Sequence, residues 1–174
     1  AGPATITITD TNNCQAVFPN TIFEPDVLVL NETAHTDETC TLGNGETTVT
    51  PTGGTAPFTY ALNAGVPQAS PTFSNLSAGT YTIEVTDNNG CTATIDIDII
   101  DNPSPVPFVD VLNDVTCAGG LNGSVTIGVN NGTAPYQFSL DAGPNQASNS
   151  FNAVGAGAHT VTVTDDNGCT GDVH

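Results

Sequence analysis

Five cysteines carry most of the chemistry available to this 174-residue chain. Cys14 to Cys40 and Cys91 to Cys117 each span 26 positions, Cys40 to Cys91 spans 51 and Cys117 to Cys169 spans 52. Thiols recurring at fixed places are suited to disulfides, which persist in oxidising compartments, so the pattern predicts an extracellular, cell-surface setting. Hard-oxygen ligation is the second chemistry on offer. Asp87 and Asn89, their equivalents Asp165 and Asp166, and the linker residue Asp101 present oxygens of the kind calcium takes in sets of six to eight. The same residue types also suit hairpin turns, because they tolerate the left-handed conformation. Calcium is therefore the one cofactor for which the sequence supplies ligands. Catalytic chemistry is not expected: there is no GxSxG elbow, the three His stand apart from metal-binding spacings, and no Trp offers a sugar platform.

Charge narrows the partners. With no Lys or Arg against 18 acidic residues, the formal net charge is -18. Binding to nucleic acid by counterion release and attraction to anionic lipid both require the cations this chain lacks. No apolar run approaches the ~20 residues of a membrane span, so no direct membrane insertion is expected. The opening residues carry no signal peptide, which reads as a mature or excised segment. Expected partners are neighbouring repeats, copies of the chain in a fibre, and surface glycans.

The elements that must position these groups are short strands. Residues 78–91, AGTYTIEVTDNNGC, alternate Tyr81, Ile83 and Val85 with Thr82, Glu84 and Thr86, then turn at an Asx-rich hairpin into Cys91. The stretch recurs at residues 1–14 and 156–169. Residues 54–92 align without a gap on residues 132–170, with 21 of 39 positions identical. A period of 77 or 78 residues is that of whole domains rather than solenoid turns. The expectation is an all-β chain of tandem immunoglobulin-like, fibronectin III-like β-sandwiches. Residues 1–22 then hold terminal strands of a preceding repeat, 23–101 the first sandwich and 102–174 a second that lacks its last strand. Leu76, Gly79 and Tyr81 fit a tyrosine corner, with His159 standing where Tyr81 stands.

The second unit reads Cys117-Ala-Gly-Gly-Leu-Asn-Gly-Ser-Val-Thr-Ile, then Gly132-Thr-Ala-Pro-Tyr136, Ala156-Gly157 and Thr164-Asp-Asp-Asn-Gly-Cys169; the first matches in GGTAPFTY and AGTYTIEVTDNNGC. This combination resembles the SprB-type repeat of Bacteroidota surface proteins. The resemblance implies large secreted adhesins used in gliding or attachment. The chain departs from the pattern in lacking the Trp often found after the PYxY strand.

Two cysteine pairings stand open. One joins Cys40 to Cys91 and Cys117 to Cys169 within repeats. The other joins Cys40 to Cys169 across the junction and leaves Cys14, Cys91 and Cys117 for neighbouring units. In an immunoglobulin-like topology Cys40 and Cys91 lie at opposite ends of a strand roughly 23 Å long, while bridged Cα atoms lie within about 7 Å, which leans toward the second. The functional expectation is a structural segment of a secreted adhesin or extracellular fibre, a disulfide-tied, rod-like stalk. The alternatives are a glycan- or calcium-binding module and a filament subunit that assembles by strand complementation.

Overall fold

Val, Ile and Thr alternating with polar residues, punctuated by Gly, Asn, Asp and Pro, commit this sequence to short strands. The computed structural model describes residues 2–22 and 24–174, and among them are sixteen strands and no helix. An N-terminal pair, β1 (Gly2–Thr9) and β2 (Gln15–Ile22), comes first. The first repeat supplies β3 (Val29–Thr36), β4 (Glu38–Thr39), β5 (Gly45–Thr52), β6 (Thr59–Leu62), β7 (Thr72–Leu76), β8 (Gly79–Thr86) and β9 (Thr92–Ile99). β10 (Asp101–Asn102) lies in the linker. The second repeat supplies β11 (Val106–Asn113), β12 (Gly123–Asn130), β13 (Gln137–Leu140), β14 (Ser150–Val154), β15 (Val161–Thr164) and β16 (Thr170–Val173). The boundary expected between residues 22 and 23 meets Phe23, and the repeated stretch begins at Ala1; both lie outside the described residues.

Each repeat builds the same two three-stranded sheets. In the first they run β3-β5-β7 and β6-β8-β9, in the second β11-β12-β14 and β13-β15-β16. First, second and fourth long strands on one sheet, with third, fifth and sixth on the other, is the connectivity of an immunoglobulin-like sandwich. In the second repeat both sheets feed one core. Val125, Ile127 and Phe151 come from the first sheet and Phe138, Val161 and Val163 from the second. Each such side chain taken out of water stabilises by roughly 1.5–3 kcal/mol.

The chain groups into two compact units. One comprises Ala1–Asn31, Val49–Pro71 and Thr82–Ile95; it buries Leu28, Leu30, Val49, Tyr60, Ala61, Ile83 and Val85. The other comprises Glu32–Thr48, Thr72–Tyr81 and Asp96–His174, and buries Phe73, Leu76, Ile97 and Ile99 together with the second-repeat core.

The expectation that the second repeat lacks its last strand is corrected. β16 pairs with β15 from Val161↔Val173 to Thr164↔Thr170. It is half the length of β9, with four residues against eight. Pairing resumes directly after the hairpin turn, and Gly171 permits it, because a Cβ there would collide with the Pro105 carbonyl oxygen. At the other end, β1 and β2 form a regular antiparallel hairpin from Gly2↔Ile22 to Thr9↔Gln15. Ile6 and Ile8, which align with the fully buried Ile83 and Val85, are 56% and 58% exposed.

Candidate functional site: a disulfide-tied junction

Cys40 sits in the loop after β4, and that loop is braced from three sides. Asn44 accepts from the Thr39 backbone N–H through Oδ1 at 2.8 Å and donates to Thr39 Oγ1 at 2.8 Å. Glu38, only 4% exposed, accepts from Gly43 N–H with Oε1 and from Ala78 N–H with Oε2, both at 2.6 Å. The linker strand β10 pairs parallel to β4, with Glu38 N–H donating to Ile100 O at 3.0 Å and Cys40 N–H to Asn102 O at 2.9 Å. Across from this loop lies Cys169, the last residue of the second repeat's hairpin turn and 2% exposed. The two sulfurs are bonded at 2.02 Å with Cα atoms 5.4 Å apart, closing a sequence separation of 129. Of the two pairings open in the sequence, the structure holds the one across the junction. Cys14, Cys91 and Cys117 are free thiols on the surface.

The hairpin that presents Cys169 is organised by one carboxylate. Asp165 Oδ1 accepts from the N–H groups of Asn167 at 3.0 Å and Cys169 at 2.8 Å, and Oδ2 from Thr133 N–H at 3.0 Å. Asp87 repeats this with Asn89 and Cys91 at 2.8 Å each and Thr55 at 2.9 Å. Asp10 makes the first half, accepting from Asn12 at 2.8 Å and Cys14 at 2.9 Å. The Gly-Thr-Ala-Pro motif therefore has a partner: its threonine N–H meets the aspartate of the last hairpin, 32 residues later in both repeats. Gly54 serves the same contact, since a Cβ on it would lie 3.2 Å from Asp87 Oδ2 and 2.9 Å from Leu28 Cδ1, at a φ of +62°. Burial pushes the Asp87 carboxyl up, but the N–H donors of Cys91, Thr55 and Asn89 outweigh it and hold the group below its ordinary value.

The corner before each of these strands is closed by a ring. Tyr81 Oη donates to Ser77 O at 2.8 Å, with Leu76 buried beneath and Gly79 at φ 152° in the turn. In the second repeat His159 Nε2 lies 3.1 Å from Gly155 O, also four residues upstream, and Nδ1 lies 2.7 Å from Asp141 Oδ2. Both ring nitrogens thus face acceptors, which only the doubly protonated imidazole satisfies. The bond to Asp141, and secondarily that to Gly155, raises the His159 pKa. The His159 bond, then the Thr160 N–H, holds the Asp141 carboxyl below its ordinary value.

The residues with calcium-type oxygens are not gathered into one centre. Asp87 and Asp165 are occupied by backbone N–H groups, and Asn89 Nδ2 donates to Thr55 Oγ1 at 2.9 Å. Asp166 is exposed in its turn, with its N–H on Thr133 O. Asp101 stands opposite Glu38 in the β10–β4 pair, its Oδ1 buried without a hydrogen-bond partner. Among the described residues no group of three or more His, Cys, Asp or Glu is arranged to hold a metal ion. Two contributors escape a reading of the sequence. Glu38 has no periodic signal, and its counterpart in the second repeat is Val115. The Thr55–Asp87 and Thr133–Asp165 contacts were visible only as a constant spacing.

Residues 33–67 and 109–145 match the family model described as SprB repeat. Two stretches of the chain are thus similar to the SprB repeat. A search of curated proteins finds no match. Among solved structures, similarity extends to three N-terminal domains of the Hoc outer capsid protein of bacteriophage RB49, at 12% identity and a TM-score of 0.47, covering 84% of this chain and 57% of that one. A C-terminal intimin fragment, solved with the intimin-binding domain of its translocated receptor, gives 11%, 0.42, 82% and 62% respectively. The first four immunoglobulin domains of Sidekick-1 give 12%, 0.41, 100% and 57%. The chain thus spans about three fifths of the length of each of these chains.

Proposed function

We propose that this chain is a structural stretch of a secreted cell-surface adhesin or extracellular fibre, in which SprB-type repeats form a stalk and disulfides tie one repeat to the next. The Cys40–Cys169 bond carries the reading, because it spends two cysteines on holding consecutive repeats together. Supporting it, such repeats resemble those of Bacteroidota surface proteins, and a disulfide belongs to an oxidising compartment. The side chains that recur between repeats serve turns, corners and cores, the signature of a module repeated for its shape. On this reading the partners are neighbouring repeats and copies of the chain, and no catalytic step is involved. Labelling intact host cells with an antibody against the two repeats tests it: staining without permeabilisation is expected, and staining that appears only after lysis overturns it.

The glycan- or calcium-binding alternative has less support, since Asp87 and Asp165 already spend their oxygens on backbone donors. The melting temperature is expected to be the same in EDTA and in millimolar calcium, as followed by circular dichroism. A rise with calcium favours the binding module.

A further inference from the structure

We propose that the Cys40–Cys169 bond is a tension bypass, limiting how far the chain lengthens under load and keeping most of both repeats out of the force path. Load entering from the N-terminal side reaches Cys40 along the backbone. From there two routes lead to Cys169. One is the polypeptide, with its sequence separation of 129 residues; the other is the bond, which bridges Cα atoms 5.4 Å apart. The shorter covalent route becomes taut first, and the longer one carries no tension while the bond is intact.

The position of the two cysteines decides what is protected. Strands β5 through β15 all lie between them, and with them every residue of the second-repeat core, Val125, Ile127, Phe138, Phe151, Val161 and Val163. Among the long strands of the two repeats, β3 and β16 alone lie outside the closed loop. Both are edge strands, β3 beside β5 and β16 beside β15. Edge strands have a ladder partner along one side only, so load on the oxidised chain peels β3 and β16, together with the short β4 between β3 and Cys40, and stops at the bond. An in-repeat bond between Cys117 and Cys169 would leave the first repeat exposed to load. The cross-junction bond covers the body of two repeats with one pair of cysteines.

This deepens the stalk reading and takes its use from it, but its readout is a length that does not depend on where the protein resides. The experiment is single-molecule pulling on the full chain through handles at its two ends, with Cys14, Cys91 and Cys117 first capped by N-ethylmaleimide. At about 3.5 Å per extended residue, the intact bond withholds about 450 Å of contour length. Dithiothreitol in the chamber should restore that length: its two thiols give two electrons and two protons to the bond, releasing Cys40 and Cys169 as thiols and leaving the reagent a cyclic disulfide. The Cys40→Ser/Cys169→Ser double variant should show the long form without reductant. Should that variant not fold, the reductant comparison on the unmodified sequence still decides. Equal lengths with and without reductant overturn the proposal. So does a difference of about 360 Å, which reports the two in-repeat pairings, Cys40 with Cys91 over 51 positions and Cys117 with Cys169 over 52. Failure of surface labelling removes the stalk reading and leaves the length difference standing.

Discussion

At the scale of single residues, the aspartates of the last hairpins matter most. Asp165 is 6% exposed and accepts from three backbone N–H groups, so Asp165→Ala strands those donors and should cost about 1–3 kcal/mol, read as a lower urea midpoint. The carboxylates held below their ordinary values, Asp87 and Asp141, add stability that is present above the unfolded carboxylate pKa and lost as pH falls through the lowered folded value. His159 has the opposite sign. Its raised pKa adds stability that is complete below the unfolded value near 6.5 and is lost as pH rises through the folded one. Denaturation midpoints taken from pH 6 to 9 should therefore fall for the unmodified chain. His159→Tyr, which replaces the ring by the Tyr81 solution, should flatten that fall; an equal slope in both would show that the histidine corner does not contribute. Sequence alone showed that His159 stands where Tyr81 stands, but not that an imidazole reaches the same upstream carbonyl. That requires Asp141 to be brought to its other nitrogen by the pairing of β13 with β15.

At the scale of elements, one repeated strand pattern has different fates. Ile83 of β8 is fully buried and Ile6 of β1, at the same place in the repeat, is 56% exposed. Ile83→Ala should cost about 2–5 kcal/mol by cavity and transfer losses, whereas Ile6→Ala should lie within about 0.5 kcal/mol of the unmodified chain. Equilibrium unfolding of the two variants makes the comparison. The strands themselves were legible because period-two alternation and Asx-Gly turns are local signals: β8, β9, β12 and β15 can all be read from their own residues. Glu38 was not legible, since a buried carboxylate is made tolerable by Gly43 and Ala78, and Ala78 lies 40 residues away. The persistence of β16 was hidden for a similar reason. A four-residue strand has too few alternations to declare itself, and its pairing comes from β15.

At the scale of the whole molecule, the chain holds together without Lys or Arg. Among the described residues, histidine rings face carboxylates, His35 Nδ1 at 2.9 Å from Glu32 and His159 Nδ1 at 2.7 Å from Asp141. Charge of one sign repels itself, so burial, backbone pairing and the disulfide must offset it. Breaking a bond that closes so long a loop should cost about 2–5 kcal/mol, read as a lower denaturation midpoint under reductant. Cysteine positions showed the repeat length, yet spacing alone left two pairings open, because what separates them is the folding of β10 back against β4. The bond also bears on resistance to proteolysis. A protease that cuts any one peptide bond between Cys40 and Cys169 turns the polypeptide into two, but the pieces remain one molecule. The two ends of the chain part only when a second insult, a reductant, arrives as well.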